Sequence, residues 1–247
     1  SKIKGRREEM VGIKSDVGIV RKLNEDYAGY IEEEEYKLYV VADGMGGHNA
    51  GEVASEMAVN AVKAYVKENY KDEGSNVLEN AILFANEKIY DKAIGGLEYK
   101  GMGTTLVAAL VYEDEVIVAN VGDSSCFGII GNDIIKITKD HSLVQELIDS
   151  GSITEEEGRN HPKKNVITRA LGTNNVVKVD IFKNDINNYD KYLLCTDGLS
   201  NEVLEEEILR EIKNINDYNT ACDKLVLLAK NRGGRDNITV LLFGGEV

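Results

Sequence analysis

The 247-residue sequence predicts an α+β fold, with two antiparallel β-sheets packed face to face and helices on their outer surfaces. Two observations predict it. Strand-like segments follow one another through short connections, which favours antiparallel pairing. Helical periodicities come in pairs instead of alternating with strands, which argues against a doubly wound βαβ sheet and for α+β layers. No Gly/Ser-rich or low-complexity tract divides the chain, and its single proline is Pro162, so residues 10–247 read as one domain. Residues 1–9 precede Met10, which looks like a natural start. They read as a short extension, native or added for expression, and no hydrophobic leader follows them.

The first element expected is a hairpin of 27–31 and 36–42. Its tip, Glu32-Glu33-Glu34-Glu35, repels itself and so belongs in solvent. From Ala50 the period becomes helical: Ala50, Val53, Ala54, Met57, Ala58, Ala61, Val62 and Tyr65 share one face. Val77, Leu78, Ala81, Ile82, Ala85, Ile89 and Ala93 define a second helix. Strands then dominate, at 105–111, 116–121, 125–130 and 134–137, separated by Glu-Asp and Gly-Asn-Asp turns. A short helix fits 143–150, and 151–165 reads as irregular and polar. Strands return at 176–182 and 191–195, helices at 205–213 and 217–230, and the last strand is 238–243.

The net charge of −14 sets up a field that repels nucleic acid. No apolar run approaches the ~18 residues that span a bilayer, so a cytoplasmic protein without a membrane partner is expected, as a monomer. Cys126, Cys195 and Cys222 are odd in number and have no close pairing. They read as buried apolar thiols in a reducing compartment, not as zinc ligands. The three histidines, His48, His141 and His161, lack the spacing of a zinc motif.

Chemistry gathers at strand ends. Tyr39-Val40-Val41-Ala42 runs into Asp43-Gly44, and Tyr192-Leu193-Leu194-Cys195-Thr196 runs into Asp197-Gly198. Asp123 follows the strand 116–121, and Asp236 precedes 238–243. A single Asp-Gly step is also a hairpin signal. Several strands delivering carboxylates to one sheet edge make an oxygen-rich pocket, suited to a hard divalent cation such as Mg²⁺ or Mn²⁺. Gly44-Met45-Gly46-Gly47 is too glycine-rich for a simple turn and lets the backbone pass close to an ion or phosphate. Arg21, in Arg21-Lys22-Leu23-Asn24-Glu25-Asp26, is either a planar fork for a phosphate or a surface cation. Glu25 and Asp26 either hold metal-bound water or form a solvated acidic pair. His48 is either a general acid or a polar residue at a helix start.

The ordered set of motifs is far more specific than any one of them. It comprises Ser15-Asp16-Val17-Gly18, Arg21-Lys22-Leu23-Asn24-Glu25-Asp26, Val41-Ala42-Asp43-Gly44-Met45-Gly46-Gly47-His48 and Gly101-Met102-Gly103-Thr104-Thr105. It continues with Ala119-Asn120-Val121-Gly122-Asp123-Ser124, Asp140-His141-Ser142, Thr168-Arg169-Ala170-Leu171-Gly172, Thr196-Asp197-Gly198-Leu199 and Gly233-Gly234-Arg235-Asp236-Asn237-Ile238-Thr239. In these motifs the chain resembles the bacterial PP2C-like (PPM) metal-dependent protein serine/threonine phosphatases, from residue 15 to 240. The resemblance implies an αββα sandwich. It implies that Asp43 bridges two metal ions, that Asp197 and Asp236 complete the first site, and that the Gly44 carbonyl serves the second. Glu25 and Asp26 would reach that second site mostly through water. Asp123, with Asp197, matches the position of a third, weaker metal. Arg21 matches the phosphate-binding arginine, and 145–165 matches the family's mobile flap. The animal branch has a histidine two residues after the bridging aspartate; here that place is Met45, while His48 follows the bacterial pattern.

The activity so implied is hydrolysis of phosphoserine and phosphothreonine in proteins by a metal-activated water, with Mn²⁺ or Mg²⁺ as cofactor. The implied partners are phosphorylated protein substrates and a bacterial serine/threonine kinase whose action is opposed. A metal-binding regulatory module without turnover is the alternative, against which a complete ligand set argues. A Ca²⁺-stabilised structural protein is a third reading, but no EF-hand loop is present.

Overall fold

The computed structural model describes residues 10–48 and 50–244; the extension 1–9 lies outside the described residues. In chain order the elements are β1 (Val11–Asp16), β2 (Asp26–Glu32), β3 (Tyr36–Met45), α1 (Ala50–Glu73), α2 (Val77–Gly95), β4 (Gly103–Thr104), β5 (Leu106–Tyr112), β6 (Glu115–Val121), β7 (Ser125–Ile130) and β8 (Asp133–Lys136). They continue with α3 (Leu143–Asp149), α4 (Glu155–Arg159), β9 (Asp180–Asp185), β10 (Lys191–Cys195), α5 (Asp197–Ser200), α6 (Glu205–Ile212), α7 (Tyr218–Asn231) and β11 (Ile238–Gly244).

One sheet has the order β1-β11-β10-β7-β8 and the other β2-β3-β5-β6-β9, with β4 paired to β3. All the pairings are antiparallel. The period of two along a strand separates two cores. In β3, Leu38, Val40 and Ala42 face the layer under α1 and α2, whereas Tyr39 and Val41 face the other sheet. In β11, Ile238, Val240 and Leu242 pack beneath α6 and α7, and Leu241 and Phe243 point between the sheets. There Phe243 stacks on Tyr39, with ring centroids 3.9 Å apart, and on Tyr192 at 5.1 Å. The expected αββα layering is the one observed, with α1 and α2 on one face and α6 and α7 on the other.

Four local expectations differ. Strand β1 was not expected; its alternation is short and includes Gly12, where a side chain would strike the backbone of Tyr218 at the start of α7. Strand β9 starts at Asp180 instead of 176, because its register is set by β6 (Asn120 opposite Asp180), and Val176 lies exposed. The stretch expected to be irregular contains α4, capped by Thr154, whose hydroxyl accepts the Glu157 N–H at 3.1 Å. Finally, β3 does not stop at Asp43. It runs on to Met45 because β4 offers it a partner, with Gly44 opposite Thr104.

Candidate active site

The end of β3 fixes the first carboxylate. Asp43 lies opposite Asp26 of β2. Its N–H donates to Thr105 Oγ1 at 3.1 Å, and its carbonyl accepts the Thr105 N–H at 2.9 Å. Gly44 follows because α1 crosses directly over it, and a Cβ there would run into the Gly51 carbonyl. The Gly44 N–H donates to the Glu25 carbonyl at 3.0 Å, which ties the 21–26 segment to the same strand.

The other sheet supplies Asp197, at the start of α5 after β10, and Asp236, just before β11. Asp123 lies on the connection from β6 to β7, where the chain crosses from one sheet to the other. Together Glu25, Asp43, Asp123, Asp197 and Asp236 line a cleft of ≈ 280 Å³, which also takes in Arg21, Gly44 and Thr105. Arg21 Nε is 3.4 Å from Asp236 Oδ1, and the arginine side chain is 53% exposed. Asp26 is buried and is not part of the cleft lining. Its Oδ2 accepts the hydroxyls of Thr196 (2.9 Å) and Thr239 (2.7 Å).

His48, like Asp26, does not line the cleft. It is exposed, with φ of 54°. Conversely, the cleft contains residues to which the sequence assigned no role. Asn237 Oδ1 accepts the Glu25 N–H at 2.9 Å, while its Nδ2 donates to the carbonyls of Val17 and Leu23. It thereby pins the loop that carries Arg21. Asn165 and Ile167 form a wall of the cleft. Asn237 and Thr105 both fall inside motifs, which was the available signal; Asn165 falls in none.

Crowded carboxyls give the site its electrostatics. Burial, then repulsion from Asp26, Asp197, Asp123 and Asp236, holds Asp43 well above the usual carboxylate range. Burial and then Asp197 and Asp140 do the same to Asp123. Burial is also the largest cause for Asp197, pushed up to about 6, and for Asp26, pushed up to about 7. Glu25 is raised by burial, against the pull of Arg21. Two buried carboxylate oxygens, Asp26 Oδ1 and Asp197 Oδ1, have no hydrogen-bond partner. An all-oxygen set of this kind, with unsatisfied acceptors, fits hard divalent cations. Among the described residues no three carboxylate, imidazole or thiol side chains are yet placed to hold a metal ion together, so the carboxyls would have to draw in around an ion.

Comparison with known proteins agrees with this arrangement. The protein phosphatase 2C family profile matches residues 20–231. The chain is 42% identical over 235 residues to a serine/threonine phosphatase of Listeria innocua, covering 93% of each chain. It superimposes on the crystal structure of a serine/threonine phosphatase from Staphylococcus aureus with a TM-score of 0.90, at 39% identity, covering 96% of this chain and 95% of that one. A catalytic domain of a serine/threonine protein phosphatase solved with two manganese ions matches with a TM-score of 0.81 at 33% identity, covering 95% and 96%. The chain belongs to the protein phosphatase 2C family.

Proposed function

We infer that this chain, a serine/threonine protein phosphatase by family, hydrolyses phosphoserine and phosphothreonine of protein substrates in the carboxylate cleft. The observation that carries the reading is the convergence of five carboxyls from both sheets on one cleft, with buried oxygens of Asp26 and Asp197 lacking any donor. Asp43, Asp197 and Asp236 would hold one divalent ion. Asp43 and the Gly44 carbonyl would hold a second, with Glu25 and Asp26 acting through water. Asp123 and Asp197 would hold a third. Mn²⁺ or Mg²⁺ bound there supplies an acidified water and neutralises charge on the phosphoryl group.

The chain's own groups do the rest. The Arg21 guanidinium, already at the cleft, turns its fork to the phosphoryl oxygens. The Asp43 backbone is tied to Thr105 and paired with β2, which fixes the point from which its carboxyl reaches the cleft. The leaving alkoxide takes a proton from solvent at the cleft mouth or from His48. Residues 10–247 form the phosphatase domain, and 145–165, which carries α3 and α4, acts as its flap.

The protein works in the cytoplasm, as a monomer opposing a serine/threonine kinase. In support, no helix among the described residues is long and apolar enough to cross a membrane, and the three cysteines are free and buried. The test is Mn²⁺-dependent phosphate release from a phosphopeptide. Asp43→Ala and Asp197→Ala should each abolish it while far-UV circular dichroism stays parental. Near-normal turnover of either variant at saturating Mn²⁺ would sink the assignment.

A further inference from the structure

His141 is buried and is not among the cleft-lining residues, yet it holds the loop that carries Asp123. Gly122, directly before Asp123, has φ of +115°, and a Cβ there would lie 2.7 Å from the Thr105 side chain. Only glycine fits, so residue 122 itself has no side chain to fix it, and its neighbours Asn120 and Ser124 hold the loop only through the Gly122 carbonyl and through Thr105. The Gly122 N–H and carbonyl both meet His141, and the carbonyl also accepts from Asn120 Nδ2 at 3.2 Å. The Gly122 N–H donates to His141 Nδ1 at 2.9 Å, and the His141 N–H donates back to the Gly122 carbonyl at 2.9 Å.

A ring nitrogen that accepts from a backbone N–H carries no proton, so the imidazole proton sits on Nε2. Nε2 lies 2.7 Å from Asp180 Oδ2 and donates to it, while Asp180 Oδ1 accepts from Arg169 at 2.9 Å. On its other side the His141 carbonyl accepts the Thr168 N–H at 2.9 Å, and Ser142 bridges to Ile167. Ile167 and Asn165 form the cleft wall. His141 and Ser142 together therefore join the loop of Asp123 to the segment that carries the wall residues Asn165 and Ile167.

We propose that His141 is a positioning residue for Asp123: its Nδ1 sets the Gly122 peptide, and with it the aim of the Asp123 carboxyl into the cleft. Asp180 and Arg169 act behind it, fixing the tautomer that leaves Nδ1 free to accept. The inference rests on the reading of the cleft as a divalent-ion site. Outer partners of this kind typically govern ~10–100-fold in metal affinity or activity.

Two substitutions separate positioning from simple support. His141→Asn puts an amide oxygen near the place of Nδ1 and gives up Asp180. His141→Gln reaches towards Asp180 and gives up the Gly122 acceptor. Calorimetric Mn²⁺ titration should show the weakest of the parental binding events weakened about 10–100-fold in His141→Gln, with His141→Asn close to the parent. With a phosphopeptide, His141→Gln should lower kcat more than it raises KM. Equal losses in both variants, tracking their melting temperatures, would overturn the proposal in favour of a purely structural role. So would a His141→Gln protein that titrates like the parent. A parent that takes up no Mn²⁺ sinks both this inference and the site reading beneath it. If either variant fails to fold, ¹⁵N spectra of the parent still decide: Nδ1 should be unprotonated and the Gly122 amide slow to exchange, and a proton on Nδ1 overturns the proposal.

Discussion

Replacing Asp26 with Asn should stabilise the metal-free protein, and by more at pH 8 than at pH 5. Burial is the largest cause raising the Asp26 carboxyl from 3.8 to about 7; Asp197 and Asp236 add to it, and the Thr239 and Thr196 hydroxyls oppose it. Because the folded value is raised, the folded state holds a proton that the unfolded chain has released between those two values. The favourable contribution is complete below pH 3.8 and is lost as pH rises through about 7. At ~1.4 kcal/mol per tenfold, the loss is roughly 2 kcal/mol at pH 5 and roughly 4 kcal/mol at pH 8. An asparagine keeps an oxygen for the two threonine hydroxyls and has nothing to ionise. Its advantage over the parent should therefore grow by about 2–3 kcal/mol between pH 5 and pH 8, or roughly 4–12 °C in Tm for a chain of this size. Urea or thermal unfolding in the presence of a chelator at both pH values measures it. His141, which burial holds below the ordinary imidazole range, works in the opposite sense, but it is common to both proteins and cancels in the difference. Saturating Mn²⁺ should shrink or reverse the advantage, since ions that bind only the folded state favour the parent. An advantage that stays flat or falls as pH rises would refute the electrostatic account of the cleft.

Asp123→Ala should leave Mn²⁺ binding at the Asp43 positions tight while phosphopeptide turnover falls; a variant that binds and turns over like the parent would remove Asp123 from the mechanism. Arg21→Lys should raise KM more than it lowers kcat, because a lysine keeps the charge and loses the two-pronged geometry; unchanged KM for both an aryl phosphate and a phosphopeptide would make Arg21 a surface cation. Neutralising Arg159, Lys163 and Lys164 together should lower kcat/KM for phosphopeptides, more at low salt than at high, and leave p-nitrophenyl phosphate hydrolysis nearly unchanged. Equal losses on both substrates would point to a disturbed metal site. Phe243→Ala removes the ring stacked between Tyr39 and Tyr192 and should cost about 3–5 kcal/mol of stability by chemical denaturation.

The layers were legible in the sequence because each buried face repeats its period over many residues. Ala50 to Tyr65 and Val77 to Ala93 leave no choice but a helix pair. Elements that depend on a distant partner were not legible. Strand β1 exists because β11 offers it an edge across more than two hundred residues of chain, with Val11 opposite Phe243. The start of β9 is set by Asn120 of β6, not by the apolar Val176 and Val177 that mimic a strand. The overlooked α4 is a different case, since Thr154 and Glu157 stand at capping spacing in plain view.

At the cleft, the sequence revealed the residue types but not which of them look at one another. Asp43, Asp197 and Asp236 are legible because each adjoins an apolar strand. The hydrogen bonds around them were not legible: Thr105 takes the Asp43 N–H, Thr196 and Thr239 hold the Asp26 carboxylate, and Asn237 holds the Glu25 backbone, all of which depend on two sheets meeting at one edge. That edge also explains the choice of carboxylates. Asp26 and Asp43 come from one sheet, Asp197 and Asp236 from the other, and Asp123 from the connection between them. Like charges on both sides of the junction push the sheets apart at this end, while the Tyr39–Phe243–Tyr192 stack holds them together within the core. A divalent ion held by carboxyls of both sheets would replace that repulsion with attraction. Binding should therefore report on packing: Mn²⁺ should slow amide exchange at Asp43 and at Asp197 together, on opposite sheets, and protection confined to one sheet would mean that the ions do not bridge the two layers.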